Sequence, residues 1–358
     1  MSQTEKVINE KYGFDTDAIR AYAGRFREDA LIKASSSGGA ASALAECVIA
    51  DGGVVFGAVY TEDFKGACFA SARSVEELSP MKTSKYIMTD KRLRKLGAWV
   101  SVFDEVGSCL SAGEEVLFTG LPCDVGALLV YLDRQRINTE KLYTVDLICH
   151  GPTYPEVQRD YINTLEQKYG APVKEFSVRD KSKGWTPPMI RAVFENGKVH
   201  KERFYESEFG YAFKLYSRVS CFSCMFKGDD HRADLTVGDF WGLKEGMAQY
   251  HKLGVSILFS RSEKGEALMK KLSAREDFLV EDADKTLALD HNRSLYRLRT
   301  KPEQEYEKFK NDFEEHGLSY AVKNHPGYRA HKKRITRRRI KGLIPKPVLK
   351  GLRKLKGR

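Results

Sequence analysis

The segment from residue 114 to residue 167 constrains the fold most, because strand and helix patterns alternate twice along it. EEVLFTG at 114–120 is typical of a buried strand, and DVGALLVYL, which follows the turn at 121–123, is typical of a helix. KLYTVDLIC at 141–149 predicts a second strand, and YPEVQRDYINTLEQ predicts a second helix. Strand, loop and helix repeated in this order predict a parallel sheet. Chemistry in such sheets is expected just beyond the carboxyl ends of the strands.

Antiparallel and helical patterns flank this segment. The alanine-rich AASALAECVIA predicts a helix, and VVFGAVY and GACFASA predict two neighbouring strands. MIRAVFENGKVHKERF predicts a hairpin that turns at Asn196-Gly197. ADLTVGDFWG and GVSILFS predict further strands. The sequence therefore predicts an α/β (mixed α+β) fold. It has a parallel-sheet core with helices on both faces, antiparallel hairpin elements and a helical C-terminal region.

Changes of composition along the chain predict five parts. They are a peripheral N-terminal segment (1–33), an N-terminal part (34–112), a C-terminal part (113–265), a helical region (266–324) and a basic tail (325–358).

The cysteine count and the N-terminus restrict the cellular compartment. The odd number of cysteines, seven, argues against a disulfide framework. The N-terminal MSQTEKVINEKYGFD contains no apolar stretch of the kind that secretory signals have. Nor does the sequence contain the roughly 18 consecutive apolar residues that a membrane span needs. We therefore expect a cytoplasmic protein whose cysteines serve metal binding, redox chemistry or core packing.

Four of the cysteines lie in loops or form a short motif. Cys221-x-x-Cys224 alone is compatible with half of a zinc site, a redox dithiol or two cluster ligands. Cys123 and Cys149 each follow a predicted strand, beside proline or glycine. Together the four supply the number of thiolates that an iron–sulfur cluster takes. An equally weighted alternative is that Cys123 and Cys149 are small buried residues that only pack in the core. Core packing is the expected role of the remaining three, Cys47, Cys68 and Cys109.

A serine–glycine loop, Ser36-Ser37-Gly38-Gly39, precedes the alanine-rich helix. Glycines allow close approach of the backbone, and the N–H groups at a helix start favour an anion such as a pyrophosphate. The loop matches neither of the common glycine-rich nucleotide motifs. Helix capping by serine is the alternative interpretation.

Six short motifs, read in order, resemble one known family. They are Ser35-Ser36-Ser37-Gly38-Gly39, Ser84-Lys85-Tyr86, Gly120-Leu121-Pro122-Cys123, Asp146-Leu147-Ile148-Cys149-His150-Gly151-Pro152, Arg218-Val219-Ser220-Cys221-Phe222-Ser223-Cys224 and Ala233-Asp234-Leu235-Thr236-Val237-Gly238-Asp239. This set, which spans roughly residues 33–260, is similar to that of the coenzyme F420 hydrogenase/dehydrogenase beta-subunit family.

The resemblance implies an oxidoreductase with FAD and a 4Fe-4S cluster. It implies one-electron transfer through the cluster and hydride transfer at the flavin, with coenzyme F420 or another small molecule as substrate. His150 is a candidate for protonating the substrate or for hydrogen bonding to the cluster. The implied cluster ligands are Cys123, Cys149, Cys221 and Cys224. The implied flavin-site residues are Ser36, Ser37, Gly38, Gly39, Lys85 and Tyr86.

One departure from the family concerns electron supply. Many relatives have an N-terminal ferredoxin-like segment, whereas residues 1–33 contain no cysteine. We therefore expect a separate ferredoxin-like donor or acceptor protein, or a soluble redox coenzyme. Two alternatives stay open at this point: a non-catalytic electron-transfer subunit of a larger complex, and a zinc-stabilised structural protein.

The C-terminal tail is a second departure. It holds 14 of the 60 Lys and Arg residues and no acidic residue, so that residues 1–324 have 46 basic and 49 acidic residues. This distribution argues against nucleic-acid binding by the whole chain. VLKGLRKLKGR at 348–358 has its apolar residues on one helical face, which predicts reversible docking on the anionic inner face of the membrane. A solvated tail is the alternative.

Overall fold

The structure is a computed structural model that describes residues 2–12 and 14–343. Within these residues the strands are β1 (Arg20–Phe26), β2 (Val54–Tyr60), β3 (Ala67–Ala72), β4 (Arg92–Lys95), β5 (Ala98–Ser101), β6 (Val116–Gly120), β7 (Leu142–Leu147), β8 (Val173–Asp180), β9 (Met189–Phe194), β10 (Val199–Arg203), β11 (Leu235–Asp239), β12 (Ser256–Ser260) and β13 (Phe278–Asp282). The helices are α1 (Gln3–Tyr12), α2 (Asp29–Ala34), α3 (Ala40–Ala50), α4 (Val102–Ser111), α5 (Pro122–Arg134), α6 (Pro155–Tyr169), α7 (Glu208–Leu215), α8 (Glu263–Ser273), α9 (Lys285–His291), α10 (Glu303–His316), α11 (Leu318–Asn324) and α12 (Tyr328–Leu343).

The main sheet has eight strands in the order β13-β1-β12-β11-β7-β6-β2-β3. Its four inner strands β11, β7, β6 and β2 pair in parallel, and the strands on either side of them pair antiparallel. The predicted parallel core is therefore confirmed. β6 begins with the apolar run Val-Leu-Phe, and β7 has Leu142 and Val145 buried, because helices cover both faces of these strands.

Helices cover both faces of this sheet, as predicted. On one face, α3 and α8 pack against Val55, Leu117 and Val145. On the other face, α4 and α5 pack against Phe56 and Phe118. These five side chains are almost fully buried, and burial of each contributes about 1.5–3 kcal/mol to folding. The two helix layers therefore fix β2 and β6 in the middle of the molecule.

A second, smaller sheet has the order β10-β9-β8 and is antiparallel throughout. It shares a separate core with α6, α7, α10 and α11, in which Ile190, Phe209 and Phe309 are fully buried. The hairpin between β9 and β10 turns at Gly197, whose φ of 78° is in the left-handed region. This confirms both the predicted hairpin and the predicted helical region after residue 300.

The prediction that residues 1–33 are peripheral is wrong for β1. This strand lies inside the main sheet, where it pairs with β12 on one side and β13 on the other. Its sequence, RAYAGRF, has only two large apolar side chains, Tyr22 and Phe26. The local pattern is therefore too weak to indicate a strand, and pairing with segments more than 230 residues away decides its structure.

The first part of the basic tail is helical and packs on the body of the protein. Tyr328 is half-buried, and His331 and Ile335 are buried on the inner side of α12. The predicted amphipathic stretch at 348–358 lies outside the described residues. Among the helices that the structure describes, none combines the length and apolarity needed to cross a bilayer.

Packing explains two glycines of the serine–glycine loop. A Cβ on Gly38 would lie 2.2 Å from the carbonyl oxygen of Gly24 and 2.7 Å from the amide nitrogen of Ser256. Gly39 has a φ of 93°, and a Cβ there would lie 2.4 Å from the ring of Phe26. The glycines therefore allow the start of α3 to approach β1 and β12 closely, and their predicted place in a flavin site stays a prediction.

We predict that Gly38→Ala lowers the free energy of unfolding by about 3 kcal/mol, because the new methyl group meets rigid backbone atoms. The measurement is urea denaturation. Gly66→Ala is the matched control, since its Cβ would meet only the Thr61 side chain, at 3.3 Å, and its cost should stay below about 1 kcal/mol. Equal stability of the two variants would contradict this packing account.

Candidate active site

The four cysteines that lie in predicted loops or in the short motif line one cavity of about 390 Å³. Cys123 lies in the first turn of α5, directly after β6, and Cys149 lies two residues after β7. β6 and β7 are parallel neighbours, so their carboxyl ends meet at one edge of the sheet. Cys221 lies in a short 3-10 helix, Val219–Ser223, and Cys224 follows it. Four distant sequence positions thus surround one space.

The loop after β7 and the segment that carries Cys221 lie close together at one wall of the cavity. Gly151 has a φ of 91°, and a Cβ there would lie 3.1 Å from the Cβ of Cys221. The N–H of Gly151 donates a hydrogen bond to the Sγ of Cys149 at 3.3 Å. A glycine at this position therefore lets the loop after β7 reach the cysteine motif.

A single zinc ion is the alternative occupant of this cavity. A structural zinc ion needs four ligand atoms within about 2.3 Å of the metal. Within residues 2–12 and 14–343, no group of three or more His, Cys, Asp or Glu side chains is arranged to hold a single metal ion. The described side chains therefore do not form a preorganised zinc site.

Burial controls the ionisation of two of these thiols, Cys123 and Cys149. Desolvation raises the pKa of Cys149 to about 12 and that of Cys123 to about 11. The carboxylate of Asp124 raises the pKa of Cys123 further, whereas Lys227 opposes the rise at Cys149. Free thiolates at these two positions are therefore unfavourable unless a bound cation compensates them.

Arg218 supplies an unused donor to the same cavity. Its Nε is buried and has no hydrogen-bond partner among the described residues, a situation that typically costs about 1–3 kcal/mol. Its terminal NH₂ lies 4.0 Å from the Sγ of Cys123. A sulfur-rich anionic group held between the cysteines would provide the acceptor that Nε lacks. The residues present therefore fit an iron–sulfur cluster.

A second cavity of about 270 Å³ adjoins the first. Residues of the segment 149–152 line both cavities, so the two share one wall. Four of the predicted flavin-site residues line the second cavity: Ser36, Ser37, Lys85 and Tyr86. The other two, Gly38 and Gly39, are not part of its lining and pack against β1 and β12 as described above. The structure thus brings most of the predicted flavin site next to the cysteine cavity.

The serine loop is held in place by polar contacts. The hydroxyl groups of Ser36 and Ser84 are 3.0 Å apart. The hydroxyl of Ser37 donates to the carbonyl oxygen of Val255 at 2.7 Å. Buried Lys181 donates to the carbonyl oxygens of Ile32, at 2.7 Å, and Ser37. The Ser37 hydroxyl is therefore engaged in the fold, and the Ser36 hydroxyl is the one placed beside the Ser84–Tyr86 segment.

Lys85 is the cation of the second cavity with the most perturbed ionisation. Its ammonium group donates to the carbonyl oxygen of Pro80 at 2.6 Å and lies 5.7 Å from the ring centroid of Tyr60. Desolvation lowers the pKa of Lys85 to about 7. An anion in the cavity would favour the charged form and raise that pKa again.

Arg179 and Asp239 also line the second cavity, and neither was predicted as a site residue from the sequence. The guanidinium of Arg179 donates to the Asp239 carboxylate at 3.0 Å and to the Tyr86 hydroxyl at 3.3 Å. The indole N–H of Trp185 donates to the same carboxylate at 3.1 Å, and its ring stacks on that of Trp241 at 4.6 Å. Asp239 ends one of the six motifs, but Arg179 comes from the small sheet and no local pattern marks it.

His150 lines both cavities. Its Nδ1 is 2.7 Å from the hydroxyl of Ser294. Desolvation lowers the pKa of His150 to about 4, and the charges of Lys227 and Arg299 act in the same direction. The imidazole is therefore neutral at pH 7. It lies in the wall that the two cavities share, and its catalytic role stays a prediction.

Two comparisons with known proteins, one with a family model and one with solved structures, found matches to this chain. A family model for the C-terminal part of the coenzyme F420 hydrogenase/dehydrogenase beta subunit matches residues 113–286, which include all four cavity cysteines. A chain of the F420-reducing [NiFe] hydrogenase complex from Methanosarcina barkeri, solved with xenon derivatization, has a similar structure. It is 17% identical, with a TM-score of 0.52, over 82% of this chain and 92% of that chain. That likeness shows a shared fold. No curated protein sequence matches this chain significantly.

Proposed function

Because residues 113–286 belong to the coenzyme F420 hydrogenase/dehydrogenase beta-subunit family, we propose that this chain is an oxidoreductase dependent on a 4Fe-4S cluster and FAD. The observation that carries the proposal is the convergence of Cys123, Cys149, Cys221 and Cys224 on one cavity, next to a second cavity. When bound, the cluster exchanges single electrons and the flavin exchanges hydride, so that the two together couple one- and two-electron chemistry.

The chain's own residues provide the charge balance around the proposed cluster. Four thiolates are negatively charged, and Arg218, Lys227 and Arg299 line the same cavity. The ammonium group of Lys227 donates to the carbonyl oxygens of Cys149, at 2.6 Å, and Ser294. Lys227 thereby fixes the loop that carries Cys149, and its charge favours the thiolate form of that residue. Arg218 is placed to donate its free Nε toward a cluster sulfur.

Residues of the second cavity would orient the flavin. Ser36 and Lys85 offer a hydroxyl donor and a cation to phosphate oxygens. The partly apolar wall at Tyr86, whose ring stacks on Phe213 with centroids 4.9 Å apart, suits an aromatic ring system. Arg179 holds the Tyr86 hydroxyl and so fixes the direction of that ring. Together these groups would place the flavin beside the shared wall at 149–152.

The substrate and the electron partner are proposed only by class. The substrate is a small redox molecule, either coenzyme F420 or another compound that exchanges hydride with a flavin. The partner is a ferredoxin-like protein or a soluble redox coenzyme. His150 lies between the two cavities as a neutral imidazole, where it is placed to accept a proton or a hydrogen bond.

We predict that Cys221→Ser and Cys224→Ser each lose most of the bound iron, because a cluster held by four thiolates does not tolerate loss of one. The measurement is iron and sulfide content after anaerobic purification. Cys47→Ser and Cys109→Ser are the matched controls: these residues are buried in the cores beside α3 and α4 and do not line the cavity. Full iron in all four variants would refute the ligand assignment.

We also predict that Lys85→Met binds FAD about tenfold more weakly while its iron content is unchanged, since it removes one charged donor from the second cavity. Flavin fluorescence after release from the protein measures the occupancy. Lys183→Met is the control, because Lys183 is exposed and lines neither cavity. Normal flavin occupancy in Lys85→Met would show that the second cavity holds something else.

A further inference from the structure

Helix α12 concentrates positive charge on the surface. The segment 328–340 contains seven exposed cations and no acidic residue. The cations are Arg329, Lys332, Lys333, Arg334, Arg337, Arg338 and Arg339. The rest of the chain before residue 325 carries slightly more acidic than basic residues. The positive charge is therefore a property of this surface and of the segment after it.

One side of α12 is fixed to the protein. The rings of Tyr328 and His331 pack on Tyr211, with centroid distances of 5.2 and 5.0 Å. Ile335 is buried on the same side, and Arg339 pairs with Glu206 at one end of the helix. The helix thus has a fixed orientation on the body of the protein.

The opposite side of α12 presents a row of cations. Arg329, Lys333 and Arg337 follow one another at intervals of four residues and so share one face. All three are exposed, and none forms an ion pair with a residue that the structure describes. Ile340, three residues further on, lies on the same face and is 53% exposed. Like charges spaced by four residues destabilise a helix, so this row gains from an external anion.

We propose that this outward face of α12 docks on an anionic lipid bilayer. The negative potential of such a bilayer attracts basic side chains that lie close to its surface. A straight row of cations with one exposed isoleucine suits a flat surface of anionic headgroups with apolar chains beneath. The proposal concerns a surface away from the cysteines and is independent of the proposed redox function.

Two other anionic partners fit the same face less well. Nucleic-acid binding favours aromatic side chains among the cations for base stacking, and the aromatic residue of α12, Tyr328, is on the inner side. A stable protein interface favours a buried aromatic or apolar anchor at its centre. Among the side chains described on the outward face, the apolar one is Ile340, at the end of the row.

The experiment is co-sedimentation of the full chain with vesicles of phosphatidylcholine containing one third phosphatidylglycerol, compared with pure phosphatidylcholine. The full chain should bind the anionic vesicles at low salt and dissociate as salt rises, because ions screen the attraction. A triple variant, Arg329→Gln, Lys333→Gln and Arg337→Gln, should partition on the order of 100-fold more weakly, since each cation contributes roughly fivefold.

The matched control is Lys174→Gln, Lys183→Gln and Lys244→Gln, which removes three exposed cations from other surfaces; it should bind like the unchanged chain. Circular dichroism spectra should be the same for all three proteins. Equal binding by the triple variant and the unchanged chain would overturn the proposal, and so would equal binding to neutral vesicles. In a further contrary outcome, the full chain fails to bind vesicles but binds RNA, and the triple variant loses the RNA binding. That result would assign the face to nucleic acid and would also overturn the proposal.

Discussion

The parallel pairing of β6 with β7 is the contact on which the candidate site depends. It brings Gly120 opposite Asp146, so the two chains leave the sheet side by side at the same edge. Cys123 follows one strand and Cys149 follows the other within three residues. The short 3-10 helix that carries Cys221 then closes the space from the other side. A change in the register of this pair would move one thiol away from the other three.

Desolvation in the cavity disfavours the thiolate forms of Cys123 and Cys149. The protein surrounds the thiols closely enough to raise the pKa of Cys123 to about 11 and that of Cys149 to about 12. The same cavity contains the guanidinium of Arg218, with a buried and unpaired Nε. Free thiolates and an unsatisfied cationic donor are both costly in a buried site. A bound iron–sulfur cluster that takes the four thiolates and accepts a hydrogen bond would relieve both costs.

Local patterns were enough to predict the parallel core, because β2 and β6 are rich in β-branched and aromatic residues and the strand patterns of β6 and β7 are each followed by a helix pattern. The cysteines were identified since each lies at a strand end or in a short motif. β1 was missed, because its few large apolar residues give no signal before it pairs with β12 and β13. Arg179 was missed for a similar reason: it reaches the second cavity from the small sheet, and only the tertiary structure reveals that position. The packing role of Gly38 against Gly24 could not be predicted, because the contact joins segments that only the tertiary structure brings together.

The central claim is that the four cysteines hold an iron–sulfur cluster. Its most direct test is electron paramagnetic resonance of the unchanged chain, purified without oxygen and reduced with dithionite, together with total metal analysis. The account predicts about four iron and four sulfide per chain and the signal of a reduced 4Fe-4S cluster. A colourless protein that contains about one zinc ion per chain and gives no such signal would contradict it.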